Sequence, residues 1–358
     1  MARIHVVGAG PAGSIAAISA ARCGHDVIVS EEHPVSGTPE NCSGLFSRDG
    51  LESLLPFLDY RKHAEWPIYG ADISLAGAVL SVRRDTPVGF VCDRAGMDMA
   101  LSSLAGGEGA ILRYGERITG SFRSEHVIGA DGPFSFVARH FSFPKIRRFA
   151  STLQAEVRYK SEDPSVVEVF LSNTMFPGFF AWIIPHDEYT AEFGVGVEAS
   201  ASSRKAWESL LKLKGVANAP KPRGAAIPLS TRPVSAKKFG GRSVLLAGDA
   251  AGQVKSTTGG GVIFGGNCAA LAGRHATDPA GYERSWRSRF GPDLFIHSLV
   301  HRHLASRTDR QLSELGRRLK KLNIDGYLSS HGHMDRPTRM MGPALVSHMI
   351  RSVIAEGF

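Results

Sequence analysis

The chain has little of what marks a secreted, disulfide-bonded or membrane-spanning protein. It carries only 4 cysteines in 358 residues, and they lie without paired spacing at Cys23, Cys42, Cys92 and Cys268. This usage favours a reducing cytoplasm and argues against a disulfide framework or a zinc site. No run of about 18 apolar residues occurs, so no spanning helix is expected. A strand begins by Arg3, and we therefore expect no secretory leader.

Neither sign of charge dominates the composition. The 42 Lys and Arg residues exceed the 34 Asp and Glu residues, which gives a formal net charge of +8. This excess suits an anionic substrate or an anionic membrane surface, and equally an ordinary soluble protein; we expect no nucleic-acid partner. The hydrophobic content of 43% is typical of a globular chain, and the length allows one large or two intertwined domains.

A glycine-rich motif stands at the start of the chain. The letters GAGPAG follow a strand predicted over Arg3–Val7 and open a helix predicted over Pro11–Cys23. Gly8 allows the tight turn, Gly10 lets the backbone approach a pyrophosphate, and Gly13 lets the helix pack on the strand. The helix would direct its free N–H groups at the phosphates, so the motif predicts a dinucleotide site.

An acidic residue follows at the spacing that such a site requires. The predicted strand Asp26–Ser30 ends at Glu31, where a carboxylate would accept the ribose hydroxyls. An acid here disfavours a 2′-phosphate, which leaves FAD or NAD as the nucleotide.

A second motif, far along the chain, decides between these two. The strand Ser243–Ala247 runs into GDAAG, and TTGGG then opens a helix predicted over Val262–Ala272. Asp249 would accept hydrogen bonds from a ribityl chain. The N-terminus of the helix, after Gly259–Gly261, would stabilise negative charge on a reduced flavin ring. NAD needs neither feature, so the cofactor is predicted to be FAD.

Two further segments resemble known flavoproteins. The letters VIGADG at 127–132, followed by Ser135 and Arg139, resemble the internal Asp-Gly fingerprint of the glutathione-reductase-type superfamily, especially its para-hydroxybenzoate-hydroxylase-like branch. Asp93 and Arg94, followed by Asp98, resemble the start of the second helix of that FAD domain. Taken singly, each is also compatible with an ordinary strand-turn-helix corner.

A narrower resemblance is to the geranylgeranyl reductase family. The letters CSGL at 42–45 and PGFFAWIIP at 177–185 match family elements, although Phe180 replaces the usual Tyr, Ile184 the usual Phe and Ser256 the usual Pro. The resemblance covers roughly residues 1–275 and implies FAD contacts at Ala12, Glu31, Cys42, Ser43, Gly44, Arg94, Asp249, Gly261 and Val262. Arg94 would pair with the pyrophosphate. The glycine motifs themselves add Gly8, Gly10, Gly13 and Gly260.

The resemblance implies an FAD-dependent reductase that saturates carbon–carbon double bonds of geranylgeranyl or other isoprenoid chains, as in membrane lipid synthesis. An isolated alkene needs a hydride from the flavin, a proton source and an apolar tunnel. Cys42 is the candidate catalytic residue, shaping the pocket or relaying the proton, unless it is an inert buried cysteine. Phe180, Trp182 and Pro185 are the candidate substrate contacts. Phe176, Phe179 and Ile184 are also candidates to line the tunnel, and ordinary sheet core is the alternative for these aromatic residues.

The pattern between the motifs predicts an interleaved α/β protein, α+β overall. Residues 1–65, 93–144 and 226–278 would form a Rossmann-like FAD-binding domain, and residues 66–92 and 145–225 an antiparallel β-sheet substrate domain. Residues 279–358 would form a helical C-terminal region, with helices over Tyr282–Arg289, Leu294–Leu322 and Pro343–Ala355.

The basic stretch His301–Lys321 is either a solvated helix face or an anchor for anionic lipid headgroups, which would make the protein cytoplasmic and peripheral at the membrane. The His301/His303 and His331/His333 pairs would not share a helix face, so no metal site is expected.

Two other functions share the cofactor motifs. One is an FAD-dependent monooxygenase of the hydroxylase type, and the other is a prenyl-binding escort protein without catalysis. The intact GAGPAG, Glu31 and GDAAG–TTGGG set argues against the escort protein. The electron donor, NAD(P)H or a ferredoxin-like protein, stays open.

Overall fold

Two sheets of different kinds organise the molecule. The computed structural model describes residues 1–340, and the helix predicted over Pro343–Ala355 lies outside the described residues. The strands β1–β16 follow one another in chain order: Arg3–Val7, Asp26–Ser30, Leu45–Ser47, Ala64–Ile68, Gly70–Leu75, Ala78–Arg83, Gly89–Cys92, Ile111–Arg113, His126–Gly129, Phe149–Arg158, Val166–Leu171, Ala181–Pro185, Thr190–Glu198, Arg223–Pro228, Ala236–Phe239 and Arg242–Leu246.

The helices α1–α10 connect and cover these sheets. In chain order they are Pro11–Arg22, Arg48–Ser53, Arg94–Gly107, Phe136–His140, Ser203–Leu213, Val262–Arg274, Pro279–Ala305, Asp309–Lys321, Ile324–His331 and Pro337–Met340. Short 3-10 turns at Tyr60–Lys62 and Gly248–Ala251 complete the assignment.

The first sheet has the strand order β15-β16-β9-β1-β2-β8. All its pairs are parallel except β15–β16, as expected of a nucleotide-binding sheet whose strands are joined by helical crossovers. Its central strands are apolar and fully buried, with Ile4, Val6 and Val29 at 0% exposure, because both faces are covered.

Helices α1 and α6 pack against each other at very short range. A Cβ at Gly273 would lie 2.4 Å from the Ala16 carbonyl oxygen, and a Cβ at Gly266 would lie 2.9 Å from Ile15 Cδ1. Only glycine permits such close approach, and the result is that the starts of both helices lie side by side.

The second sheet has the order β14-β10-β13-β12-β11-β5-β6 and is antiparallel except between β5 and β11. Side chains alternate across it. Phe193, Val195 and Val197 pack with Trp207 of α5 on one face, and Trp182 and Ile184 lie in a separate cluster on the other. A small third sheet, β3-β7-β4, joins the two. This architecture confirms the predicted fold class, whereas the domain boundaries stay a prediction.

The C-terminal helices correct the sequence prediction in two places. A break was expected between Arg289 and Leu294, but α7 runs unbroken through Pro292. Proline removes one intrahelical hydrogen bond, and the burial of side chains on either side of it offsets that loss. The continuous helix predicted over Leu294–Leu322 instead ends at Ala305, because Thr308 and Gln311 form a capping box that starts α8.

No helix within residues 1–340 is long and apolar enough to cross a membrane.

Candidate active site

The GAGPAG motif forms the tight turn that the sequence predicts. Gly8 has a φ of +98°, and a Cβ there would lie 2.4 Å from the Ala130 carbonyl oxygen. A Cβ at Gly13 would lie 1.8 Å from the Gly8 carbonyl oxygen. At Gly10, by contrast, no atom of the described residues lies within 4 Å of the position that a Cβ would take. The backbone there borders open space at the start of α1. A pyrophosphate fits this combination of an open face and a free helix N-terminus.

Glu31 lies at the end of β2 with its carboxylate turned back to this turn. Its Oε2 accepts a hydrogen bond from the Ala9 amide at 2.7 Å. Its Oε1 accepts one from the His33 amide at 3.0 Å and lies 2.7 Å from His33 Nδ1. The side chain is therefore fixed beside the phosphate-binding turn, where a ribose would lie.

The second motif meets the first directly. A Cβ at Gly248 would lie 2.8 Å from the Ala12 Cβ, so the two segments touch although they are far apart in the chain. Asp249 is packed against Gly261, the residue that precedes α6, with its Oδ1 2.8 Å from a Cβ placed there. Burial raises the pKa of Asp249 to about 6, and the positive charge of Arg94 opposes the shift.

Helix α6 begins beside this aspartate without a side-chain cap. Gly261 is its N-cap residue, and Gly259 adopts a φ of +72° in the turn before it. Gly260 and Val262 lie on either side of the cap, so this whole predicted segment is in place. The exposed dipole end of α6 can stabilise negative charge next to Asp249.

Arg94 connects the two motifs to the cysteine loop. Its guanidinium binds the Asp98 carboxylate, with Nη2 2.8 Å from Oδ2, and both side chains are largely buried. Burial alone would lower the pKa of Arg94, but Asp98 and the neighbouring Cys42 raise it. Burial raises the pKa of Asp98 to about 6 against the effect of Arg94. A permanent positive charge thus lies beside Asp249 and Cys42. The pyrophosphate contact expected for Arg94 stays a prediction.

Cys42 lies in the loop between β2 and β3, followed by Ser43 and Gly44. Gly44 has a φ of +70°, and a Cβ there would lie 2.6 Å from the Cys92 carbonyl oxygen, so this turn requires glycine. Burial raises the pKa of the Cys42 thiol, and Arg94 only partly opposes that shift. The thiol therefore keeps its proton at neutral pH.

The second sheet covers this region with an apolar face, which we call the roof. It is formed by the cluster of Phe179, Phe180, Trp182, Ile184 and Leu229, each at most 9% exposed. Ile227 and Phe179 lie 2.7 Å and 3.6 Å from a Cβ placed at Gly259, so the roof reaches the loop before α6.

Two predicted aromatic or proline contacts lie elsewhere. Pro185 pairs with Ala191 of β13, whose side chain belongs to the cluster on the opposite face of the sheet. Phe176 is fully buried in that same opposite cluster. The structure thus brings Phe180 and Trp182 together on the roof, and it places Pro185 and Phe176 behind it.

These residues fit an FAD molecule. The open backbone at Gly10, the carboxylate of Glu31 and the buried Asp249 beside an uncapped helix provide, in order, a phosphate site, a ribose site and a polyol-and-ring site. The sequence profile of an FAD-binding domain matches residues 4–48, and that of a geranylgeranyl reductase catalytic domain matches residues 149–223. The chain is thus similar to the geranylgeranyl reductase family over the segment that matches its catalytic domain, as the sequence predicts. The prediction of FAD as the cofactor is confirmed.

Named proteins are similar to this chain in sequence, and solved structures share its fold. A digeranylgeranylglycerophospholipid reductase of Methanococcoides burtonii is 28% identical, over 89% of this chain and 88% of its own length. One from Methanothermobacter thermautotrophicus is 28% identical, over 89% and 91%. The crystal structure of a geranylgeranyl bacteriochlorophyll reductase-like protein from Thermoplasma acidophilum superposes with a TM-score of 0.81 at 20% identity, over 98% of this chain and 99% of that one. A flavin-dependent brominase shares the fold, with a TM-score of 0.70 at 16% identity, over 99% of both chains.

Sequence reasoning missed a buried acid on the roof. Glu192 of β13 pairs with Ile184, so its side chain is on the roof face, and the residue is only 2% exposed. Burial raises its pKa to about 8. Neither Glu192 Oε1 nor the nearby Trp182 Nε1 has a well-formed hydrogen bond among the described residues. Strand alternation from Thr190 places Glu192 on the roof face with Gly194, so the sequence did carry this signal.

A buried ion pair was missed as well. Lys255, in the loop before TTGGG, binds Asp335, and each side chain is only 7% exposed. Ser47 donates a hydrogen bond to the same carboxylate. Lys255 lowers the pKa of Asp335 despite the opposing effect of burial. No local pattern indicates this pair, because 80 residues separate its members.

Proposed function

We propose that this protein is an FAD-dependent reductase that saturates the double bonds of geranylgeranyl chains carried on a glycerophospholipid. The observation that carries the proposal is the apolar roof of Phe180, Trp182 and Ile184 over the corner formed by Asp249 and the start of α6. The names of the relatives supply the class of lipid.

Reduced FAD, when bound, supplies a hydride. The chain's own residues supply the rest. The roof excludes water and offers dispersion contacts to a hydrocarbon chain, and the α6 N-terminus stabilises negative charge beside Asp249. Because the alkene carries no group that can be polarised, rigid placement of the chain under the roof is the main contribution of the protein.

A small apolar cavity extends the roof toward the C-terminal helices. It has a volume of about 20 Å³ and is lined by apolar side chains of β11, of the roof, of α7 and of α8, with Thr257 and His301 at its wall. Leu304 and Leu312 contribute from the helices. We propose that the far end of one isoprenoid chain reaches this end of the roof.

Cys42 is proposed to hold the proton for the second carbon of the double bond. The support is its protonated thiol in the loop that adjoins Arg94. Replacing Cys42 by Ser should lower alkene reduction at least 10-fold while flavin loading stays normal. Full activity in Cys42→Ser would contradict the catalytic role.

The proposed function is tested by anaerobic reduction of the FAD-loaded protein with digeranylgeranylglycerophospholipid, followed by mass spectrometry. We expect mass gains of two units per saturated bond. The alternative, a monooxygenase, shares every cofactor contact. It would instead consume oxygen with NAD(P)H and add a single oxygen atom.

The electron donor and any membrane contact belong to this proposal too. We propose that a reduced nicotinamide nucleotide or a ferredoxin-like protein reduces the flavin. Helix α8 packs on β5 and β6 through Leu312 and Gly316 and leaves Arg317, Arg318 and Lys321 exposed. That face suits an anionic lipid surface, from which a prenyl lipid would be taken.

A further inference from the structure

A second, larger cavity lies on the other side of the start of α6. It has a volume of about 130 Å³ and lies between α2, α6, α7 and the segment 332–339. Five arginines line it: Arg48, Arg84, Arg289, Arg336 and Arg339. We call it the arginine cavity. So many guanidinium groups around one space indicate an anionic ligand with several acceptor oxygens.

Three of these arginines are not neutralised within residues 1–340. Arg84 donates to the Gly332 carbonyl oxygen at 2.9 Å, and Arg289 lies over the Phe290 ring at 5.4 Å. Neither of them, nor Arg339, forms an ion pair with a described carboxylate. Arg336 is different, because it is held by the buried Asp293 at 3.3 Å.

The acids at the cavity wall are already engaged. Asp49 lies 3.2 Å from His333. Asp335 binds Lys255 and accepts from Ser47. The five guanidinium groups outnumber the two carboxylates that line the cavity, and one of these, Asp335, is already paired with Lys255, so the cavity carries a local positive charge.

Part of the lining of the arginine cavity is apolar. It is formed by Val88, Ile263, Phe264 and Phe290. A free phosphate ion would gain nothing from such a wall, whereas a phosphate that is attached to a glycerol and hydrocarbon chains would contact both sides.

The arginine cavity also adjoins the two other parts of the site. Ile263 is the second residue of α6, whose start faces the flavin corner. Thr257, at the wall of the small apolar cavity, contacts His297 Nδ1 at 2.7 Å. The other nitrogen of His297 lies 3.2 Å from the carbonyl oxygen of Asp335, at the wall of the arginine cavity. The contacts from Thr257 through His297 to Asp335 thus run between the small apolar cavity and the arginine cavity.

We propose that the arginine cavity binds the phosphate of the lipid headgroup, while the isoprenoid chains extend toward the roof. This inference rests on the proposed function, because a prenyl glycerophospholipid combines the two chemistries. Arg84 and Arg289 would hold the phosphate, and the apolar wall would hold the first carbons of the glycerol ethers.

The test compares two lipids that differ only in the phosphate: digeranylgeranylglycerophospholipid and neutral digeranylgeranylglycerol. The variant is R84Q/R289Q, and the matched control is R61Q/R204Q, which removes two exposed arginines far from the cavity. Flavin absorbance and thermal unfolding verify that both variants fold. Equilibrium binding of each lipid to the FAD-loaded protein is measured beside turnover.

We expect R84Q/R289Q to raise KM and Kd for the phospholipid at least 10-fold, since two charge-assisted hydrogen bonds to the phosphate would be lost. For the neutral lipid, KM and Kd of R84Q/R289Q should stay within about 2-fold of the wild-type values. The control R61Q/R204Q should stay within the same range for both lipids. An equal loss for both lipids, or no loss for either, would overturn the proposal.

The same experiment separates this inference from the proposed function. If neither lipid is reduced but phospholipid binding is still weakened selectively in R84Q/R289Q, the cavity assignment stands and the reductase proposal fails. If inorganic phosphate or NADPH competes for the cavity and the phospholipid does not bind there, the headgroup assignment is wrong.

Discussion

The nucleotide end of the site is built mainly from backbone, and the roof is built mainly from side chains. At Gly8 and Gly13 the geometry leaves no room for a Cβ, and the ligand-facing groups are amides and a helix terminus. At the roof, by contrast, Phe180 and Trp182 fill the space themselves. A backbone site depends on a few glycines, whereas a side-chain site can change its shape and its substrate by single substitutions.

The largest effect on flavin binding should come from a methyl group added at the nucleotide end. In Gly13→Ala the new Cβ would lie 1.8 Å from the Gly8 carbonyl oxygen. The helix must shift, and we expect a destabilisation of roughly 1–3 kcal/mol together with loss of bound flavin. Flavin absorbance and thermal unfolding measure both. Gly107→Ala in α3, where a Cβ meets nothing within 4 Å, is the control and should be nearly neutral.

A large effect on stability is also expected at the roof, but it should depend on pH. Burial raises the pKa of Glu192 to about 8. Between the ordinary glutamate range and pH 8 the folded state therefore holds a proton that the unfolded state releases, so stability falls as the pH rises. Trp182 and Arg223 oppose this shift, and Glu40 and Glu156 reinforce it.

Glu192→Gln should remove this fall of stability with rising pH, because the substitution removes the titrating group. The size of the effect is about 1.4 kcal/mol for each unit by which the pKa is raised. Denaturant unfolding at pH 5 and pH 9 measures it. Glu208→Gln, at an exposed position on α5, is the control. If wild type and Glu192→Gln lost equal stability between the two pH values, Glu192 would not be a buried protonated acid.

A third substitution distinguishes the two regions by function. A Cβ at Gly194 would lie 2.0 Å from Trp182 Cε2, so Gly194→Ala must displace the indole. We expect alkene reduction to fall about 10-fold, because placement of the chain is disturbed, while flavin content is unchanged. Gly224→Ala on β14 is the control, since its Cβ would make only ordinary contacts at 3.5 Å. Parallel loss of flavin in Gly194→Ala would show that the two regions are not independent.

The smallest effect concerns the exposed face of α8. Replacing Arg317, Arg318 and Lys321 by Gln should weaken binding to anionic vesicles by about 1 kcal/mol per charge, and high salt should weaken binding of the wild type. Vesicle flotation at two salt concentrations measures this. Binding that is absent, or insensitive to salt, would exclude α8 as a lipid contact.

The sequence was informative where function depends on backbone conformation. Positions such as Gly8 and Gly44 are recognisable because a positive φ leaves few alternatives to glycine. It was uninformative where function depends on contacts between distant segments. Neither the Lys255–Asp335 pair nor the arginine cavity has a local signature, since their members come from separate elements. The end of α7 at Ala305 has a local signature, the capping box of Thr308 and Gln311. Proline alone was a poor guide, because the helix continues through Pro292.

The bond between Lys255 and Asp335 makes the loop before α6 dependent on a segment near the end of the chain. Replacing Asp335 by Ala would leave the ammonium group enclosed and without its counter-charge, a change that costs about 3–5 kcal/mol. The loss would then reach the corner proposed to bind the flavin ring, so the colour of the protein would report whether this distant carboxylate is in place.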